Sequence, residues 1–110
     1  PDTASSANIR FNHALAKLHM GDREGALKGF MLVTDLDPNK FEATSAIGTL
    51  SLQAGDFETA AHYLEKSHNT RPDDVDVLYN LGVVQLQGQQ PQRAIKSFEK
   101  VLELEPEHRP

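Results

Sequence analysis

The sequence predicts an all-α fold, a stack of three helical hairpins, and three observations predict it. Shifting the chain against itself by 34 residues superimposes Ala26, Ala60 and Ala94, then Pro38, Pro72 and Pro106, then Phe30, Leu64 and Phe98. Two more columns follow at the same shift, Ala14 with Gly48 and Gly82, and Leu18 with Leu52 and Leu86. Agreement in so many columns at one period marks an internal repeat of the helix-pair size. The second observation lies inside the period: Val75 to Pro106 reads as two amphipathic helical stretches around a short turn, closed by a proline. The third is that residues suited to starting or stopping helices stand at the boundaries of these stretches.

In chain order, residues 1–6 form a polar lead in which Ser5 or Ser6 can cap the first helix. The pattern predicts helices over 7–20, 23–36, 40–53, 57–70, 74–87 and 91–104. Gly21-Asp22 and Gly55-Asp56 each supply a permissive C-terminal residue followed by a carboxylate that caps the next helix. Gln90-Pro91 puts proline at a first helical position, where its missing N–H is not needed. Pro38, Pro72 and Pro106 end the second helix of each unit, because the residue before proline is pushed out of the helical region. Asn39 with Glu42 forms the pattern of a capping box for the third helix, and Asp73 or Asp74 caps the fifth. Ala14, Gly48 and Gly82 are expected to face Ala26, Ala60 and Ala94, letting the paired axes approach closely. Phe30, Leu64 and Phe98, with Leu27, Ile95, Val33 and Val101, then fill the space between helices.

A 34-residue helix-turn-helix unit with small residues in both helices and a closing proline resembles the tetratricopeptide repeat, over residues 7 to 108. The resemblance implies a right-handed α-solenoid of three units, 7–40, 41–74 and 75–108, within a domain spanning 7–110. It also implies a binding scaffold whose first helices line a concave groove for an extended peptide or a helix. Carried over by the 34-residue register, the groove presents Asn8, Phe11, Asn12, Leu15 and His19 from the first unit. The second contributes Glu42, Ser45, Ala46, Thr49 and Gln53, and the third Asp76, Tyr79, Asn80, Val83 and Gln87. These positions mix apolar, amide and carboxylate groups and include no Lys or Arg, so the expected partner is a protein or peptide segment of apolar or mildly basic character.

One branch of the family clamps the acidic tails of heat-shock chaperones with Lys, Arg and Asn side chains. The corresponding places here hold Phe11, Leu15, Ala46, Asp76 and Asn80, so the charge-assisted hydrogen bonds that anchor such a tail are not available. In the sugar-transferase and receptor-like branches an asparagine ladder grips a peptide backbone. Asn12 and Asn80 are two rungs of it, interrupted by Ala46, and the same asparagines are also explained by the common repeat pattern. Phe11, Leu15, Tyr79 and Val83 are either apolar contacts for a ligand or half-buried packing between helices.

Composition excludes other classes. Eleven basic against sixteen acidic residues give a net charge of -5, and no cationic cluster longer than a pair occurs, so nucleic acid is not an expected partner. No apolar run reaches the roughly 18 residues of a membrane span, and PDTASS lacks a basic region followed by an apolar one. The absence of cysteine removes disulfides, thiolate metal sites and cysteine nucleophiles, and leaves cytosol and periplasm equally compatible. His13 and His19 are too far apart to share a helical face, and His62 with Glu58 and Glu65 reads as a solvated charged face rather than a metal site. Without a phosphate loop, serine elbow or paired catalytic carboxylates, no cofactor and no catalysis by this chain are expected.

The two ends differ. Arg10 and His13 stand where later repeats have Thr44 and Ile47, then Leu78 and Leu81, which gives the first helix a polar outer face. Ile95, Phe98, Val101 and Leu102 of the last helix have no further helix to cover them, and form a candidate end-face interface. Pro1 in place of an initiator methionine suggests a processed form or a fragment of a longer chain. The reading is therefore an adaptor that holds a segment in its groove. Its alternatives are a structural segment of a longer solenoid or homo-oligomer associating through end faces, and a regulatory domain of a larger enzyme.

Overall fold

A computed structural model describes residues 3–105 as six α-helices with no strand among them. They are α1 (Thr3–His19), α2 (Arg23–Leu36), α3 (Phe41–Gln53), α4 (Phe57–Thr70), α5 (Val75–Gln87) and α6 (Pro91–Leu104). Each expected helix is present, and five of the six agree with expectation to within one residue at either end. The first begins earlier. Thr3–Ser6 are helical, so Ser5 and Ser6 lie inside α1 instead of capping it. Ala7, 2% exposed, packs with Val33 and Ala43 and ties the first turns of α1 to the neighbouring helices.

The predicted caps hold at Asp22, Asp56 and Asp74, whose Oδ1 atoms accept from the N–H groups of Gly25 (2.9 Å), Thr59 (3.2 Å) and Val77 (3.0 Å). α3 departs from the pattern. Its N-cap is Lys40, with no side-chain cap bond, because the chain turns into the helix one residue after Asn39. Pro91 takes the first helical position of α6 as expected. Asp37, Arg71 and Glu105, each followed by proline in the sequence, share φ near -135 to -141° and ψ near 78 to 85°, outside the helical region. Pro106 itself lies outside the described residues. At the turns between paired helices, Gly21 and Gly55 have φ of 85° and 83°, and Gln89 adopts φ 59° at the equivalent place in the third unit.

Helices pack as α1 with α2, α3 with α4 and α5 with α6, and successive pairs join through α2 with α3 and α4 with α5. α3 and α5 also touch, so the first helices of the second and third units lie side by side along one face. The result is an elongated body of 45 × 24 × 23 Å. Its interior is a run of clusters, one centred on Ala14, Ala26, Phe30, Ile47 and Leu50 and the next on Ala60, Leu64, Val77, Leu81 and Val84. Two buried polar contacts cross between helices: Ser67 Oγ lies 2.8 Å from Thr44 Oγ1, and Ser97 donates to Gln85 Oε1 at 2.7 Å.

The glycines of the small-residue columns also seat a large residue of the facing helix. A Cβ built on Gly48 would lie 2.7 Å from Leu64 Cγ, and one on Gly82 2.6 Å from Phe98 Cε1. The glycines therefore make room for the large residue of the facing helix, Leu64 or Phe98. In the first unit the arrangement is reversed: Ala14 holds the column, and the glycine is Gly29 on the facing helix, where an added Cβ would be 2.8 Å from Ala14 Cβ.

Candidate functional site

The face shared by α3 and α5 carries a recess of about 500 Å³. Glu42, Ser45, Ala46, Thr49 and Gln53 line it from α3, at the spacing that places residues on one helical stripe. Asp76 and Asn80 line it from α5. Its floor is apolar, built from Phe41, Leu50 and Val77, and its edge is completed by Leu18, Arg23 and the capping residue Asp74.

These residues are held in place by local contacts. Asp74 spends one carboxylate oxygen on the Val77 N–H, which also fixes the first turn of α5. Glu42 meets Arg71 at 3.4 Å, and the Arg71 guanidinium lies 4.1 Å from the centre of the Phe41 ring. Ser45 donates to the carbonyl of Phe41 at 2.8 Å, and Asn80 Nδ2 reaches Thr49 Oγ1 at 3.4 Å. That last contact is long, so both groups remain able to exchange it for a ligand.

Seven positions of the expected groove thus come together: Glu42, Ser45, Ala46, Thr49, Gln53, Asp76 and Asn80. The first-unit positions lie elsewhere. Asn8 is exposed and accepts from Lys40 Nζ at 3.2 Å, and Asn12 and His19 are exposed. Phe11 is half-buried, stacked in a tilted pair with Phe30 at 5.3 Å, and Leu15 packs against the same cluster. Both side chains belong largely to the core. From the third unit, Tyr79 is 49% exposed with its ring 5.8 Å from that of Phe98, Val83 is half-buried and Gln87 is exposed. None of these three lines the recess.

The face is not free of cations, as the first-helix positions alone had implied. Arg23, from the start of α2, lines the recess, while Lys40 sits 5.5 Å from the Phe11 ring centre. Arg23 belongs to a second helix, so a register restricted to the first helices passes over it, and Lys40 is the N-cap of α3 although the pattern places it inside that helix. The carboxylates Glu42, Asp74 and Asp76 outnumber Arg23 in the recess.

On the opposite face, His62 is exposed with its ring edge-on to Tyr63 at 5.0 Å, and Glu65 pairs with Arg93 at 3.2 Å rather than with His62. No group of three metal-ligating side chains converges among the described residues. No helix among them is long and apolar enough to cross a membrane. At the far end of the stack, Ile95 and Leu102 are 54% and 55% exposed and Phe98 is half-buried. Val101 is buried at 3% exposure and so drops out of the expected end face, because its side chain turns back toward the inside of the stack.

Three helical hairpins stacked at one period define a helical repeat fold of the kind used as scaffolds for protein–protein interaction. The chain belongs to the tetratricopeptide repeat family, whose model matches residues 51–110. No curated protein matches the sequence. Among solved structures, the chain is similar to the Thermobaculum terrenum O-GlcNAc transferase, with a TM-score of 0.82 and 27% identity over 98% of this chain. It is also similar to MamA from Desulfovibrio magneticus, with a TM-score of 0.86 and 26% identity over 93% of this chain. It spans 21% of the transferase and 58% of that MamA chain. The first tetratricopeptide domain of Spaghetti, solved with an HSP90 peptide, shares the fold at a TM-score of 0.83 and 19% identity, over 93% of this chain and 81% of that one.

Proposed function

We propose that the chain is an adaptor that holds an extended protein segment across the α3–α5 face, with a basic side chain of that segment seated in the recess. One observation carries this reading: an apolar floor of Phe41, Leu50 and Val77 is rimmed by hydroxyl, amide and carboxylate groups from two parallel stripes. An extended backbone presents N–H and C=O groups that Ser45, Thr49 and Asn80 can pair with. The carboxylates of Asp74 and Asp76 favour a Lys or Arg over an acidic residue beside them. An acidic chaperone tail fits poorly for the same reason. A helical framework fixed before binding reduces the ordering cost on the protein's side of the contact.

The test is a fluorescence-anisotropy titration with a panel of labelled extended peptides in which apolar residues alternate with Lys, Gln or Glu. The Lys series is expected to bind best, and Asp76→Lys to weaken it by about tenfold, the scale of one lost charged contact. Binding that follows the Glu series, or that ignores Asp76→Lys and Asn80→Ala alike, would remove the recess as the site.

A second reading, a recruiting domain attached to an enzyme, is favoured by the similarity to a segment of the O-GlcNAc transferase and by Asn12 and Asn80, which share one column of the repeat. It requires a catalytic domain in the same reading frame. It also requires peptide affinity that falls with Asn12→Ala and Asn80→Ala regardless of peptide sequence, as backbone recognition would dictate.

A further inference from the structure

The seam between α4 and α6 differs from the one before it. In the earlier seam Tyr63 packs against the cluster of Phe30 and Ile47. One repeat later the same position is Ser97, whose hydroxyl is taken up by Gln85 Oε1 at 2.7 Å. With a hydroxyl in place of a ring, a recess of about 450 Å³ stays open, floored by Leu78 and Leu81 and walled by His68, Asn69, Arg93 and Lys96. It shares Glu65, Leu81 and Gln85 with a second recess of about 230 Å³, where Phe57, Ala61 and Val84 give an apolar lining. The two recesses form one groove, polar at one end and apolar at the other. Its walls come from α4, α5 and the first half of α6, so it is complete within the described residues.

The polar end carries the opposite charge to the α3–α5 recess. Lys96 makes no ion pair among the described residues, and His68 Nδ1 is buried with no hydrogen-bond partner among them. Arg93 lies 3.2 Å from Glu65, but these side chains are 58% and 50% exposed, so the pair is weak and open to exchange. A chain of net charge -5 thus gathers two cations and a histidine against one carboxylate, while Glu58 lines only the apolar end. At that end Phe57 leaves 39% of its surface exposed. From Ala61 to His68 the two ends are set about 10 Å apart along α4. An extended segment in the polyproline II conformation turns side chains three apart onto one face at nearly that spacing, about 9 Å. We infer that this groove is a second docking site, for an extended acidic segment of a partner protein. The segment's carboxylate sits between Arg93 and Lys96, and an apolar side chain three residues away packs on Phe57 and Val84. The site is independent of the α3–α5 recess and opposite to it in charge preference.

The experiment is an NMR titration of the chain, followed at its backbone amides, with the end-blocked peptides Leu-Pro-Pro-Glu and Glu-Pro-Pro-Leu, whose prolines favour the extended form. One of the two orders is expected to shift amides of α4 and the first half of α6. It should bind more weakly than the Lys peptides bind the α3–α5 recess, and more weakly still in high salt. Replacing its Glu by Gln or its Leu by Ala is expected to weaken binding at least about fivefold, and so is Lys96→Glu in the chain. Ser97→Tyr with Gln85→Ser copies the residues of the earlier seam and is expected to abolish binding by filling the recess. Asp76→Lys, on the other face, is expected to leave it unchanged. Circular dichroism checks that each variant keeps its helices. Absence of shifts, shifts confined to α3 and α5, or affinity indifferent to Lys96→Glu overturns the proposal. So does acetate alone producing the same shifts at the same concentration, which would mark an adventitious ion only.

Discussion

Leu64 occupies the space that a side chain at Gly48 would need: a methyl group there would lie 2.7 Å from Leu64 Cγ and 3.3 Å from the Leu64 backbone nitrogen. Leu64 is fully buried, so neither the side chain nor the backbone behind it has room to yield. Gly48→Ala is expected to destabilise the fold by about 1–3 kcal/mol, despite the better helix propensity of alanine. At Gly82 the obstruction is the ring edge of the half-buried Phe98, which can swing toward solvent. Gly82→Ala is therefore expected to cost less than Gly48→Ala. Urea unfolding of the two variants tests the order, and equal losses would mean that the exposure of Phe98 does not matter.

Gln89 stands at φ 59° in the turn where the other two units have glycine at φ 85° and 83°. A side chain at such an angle is strained by contact between Cβ and the backbone. Gln89→Gly is expected to raise stability by up to about 1 kcal/mol. Gly55→Ala, which would meet no atom within 4 Å, is expected to lower it by a similar amount through the backbone alone. Thermal melts of both variants check the opposite signs.

The helix starts differ in what their side chains contribute. Asp74→Ala removes the acceptor of the Val77 N–H and is expected to cost about 1 kcal/mol. Asn39→Ala is expected to leave stability within about 0.5 kcal/mol, since the N-cap of α3 is Lys40 and makes no side-chain cap bond. Chemical denaturation midpoints separate the two, and a loss at Asn39 matching that at Asp74 would contradict the observed helix start.

Arg71 touches Glu42 at 3.4 Å and lies over the Phe41 ring at 4.1 Å. Both charged groups are about half exposed, so the ion pair itself contributes little. Glu42→Gln is expected to change stability by less than about 0.5 kcal/mol. Arg71→Ala is expected to cost more, roughly 1 kcal/mol, because the guanidinium and its stem cover an aromatic face. A double-mutant cycle that assigned the larger share to the Arg71–Glu42 pair would reverse that ranking.

Helix number, hairpin pairing and most boundaries were legible because they depend on local chemistry that repeats three times. Asp22, Asp56 and Asp74 cap wherever the chain turns, and the residue before each proline leaves the helical region whatever surrounds it. The start of α1 was not legible. Thr3, Ser5 and Ser6 are weak helix formers, and their helix is tied to the packing of Ala7 on Val33 and Ala43, a contact across three helices. The groove was half legible. The repeat register placed Glu42, Ser45, Thr49 and Asn80 on one face, but it gave no account of Arg23, which lines the recess from the first residue of α2.

By itself the sequence determined a three-unit helical repeat, because period, caps and prolines act over a few residues and need no partner from elsewhere in the chain. Tertiary structure alone decided which apolar residues are used up inside. Phe11 and Leu15 go to the core and Tyr79 leans on Phe98, while Val101 turns inward and leaves Ile95 and Leu102 outside. It also decided that the glycines serve Leu64 and Phe98, and that the recess gathers carboxylates around an apolar floor. The physical reason is that burial and close approach depend on where neighbouring helices settle over one another, and a shift of one residue around a helix, about 100°, carries a side chain from one surface to another.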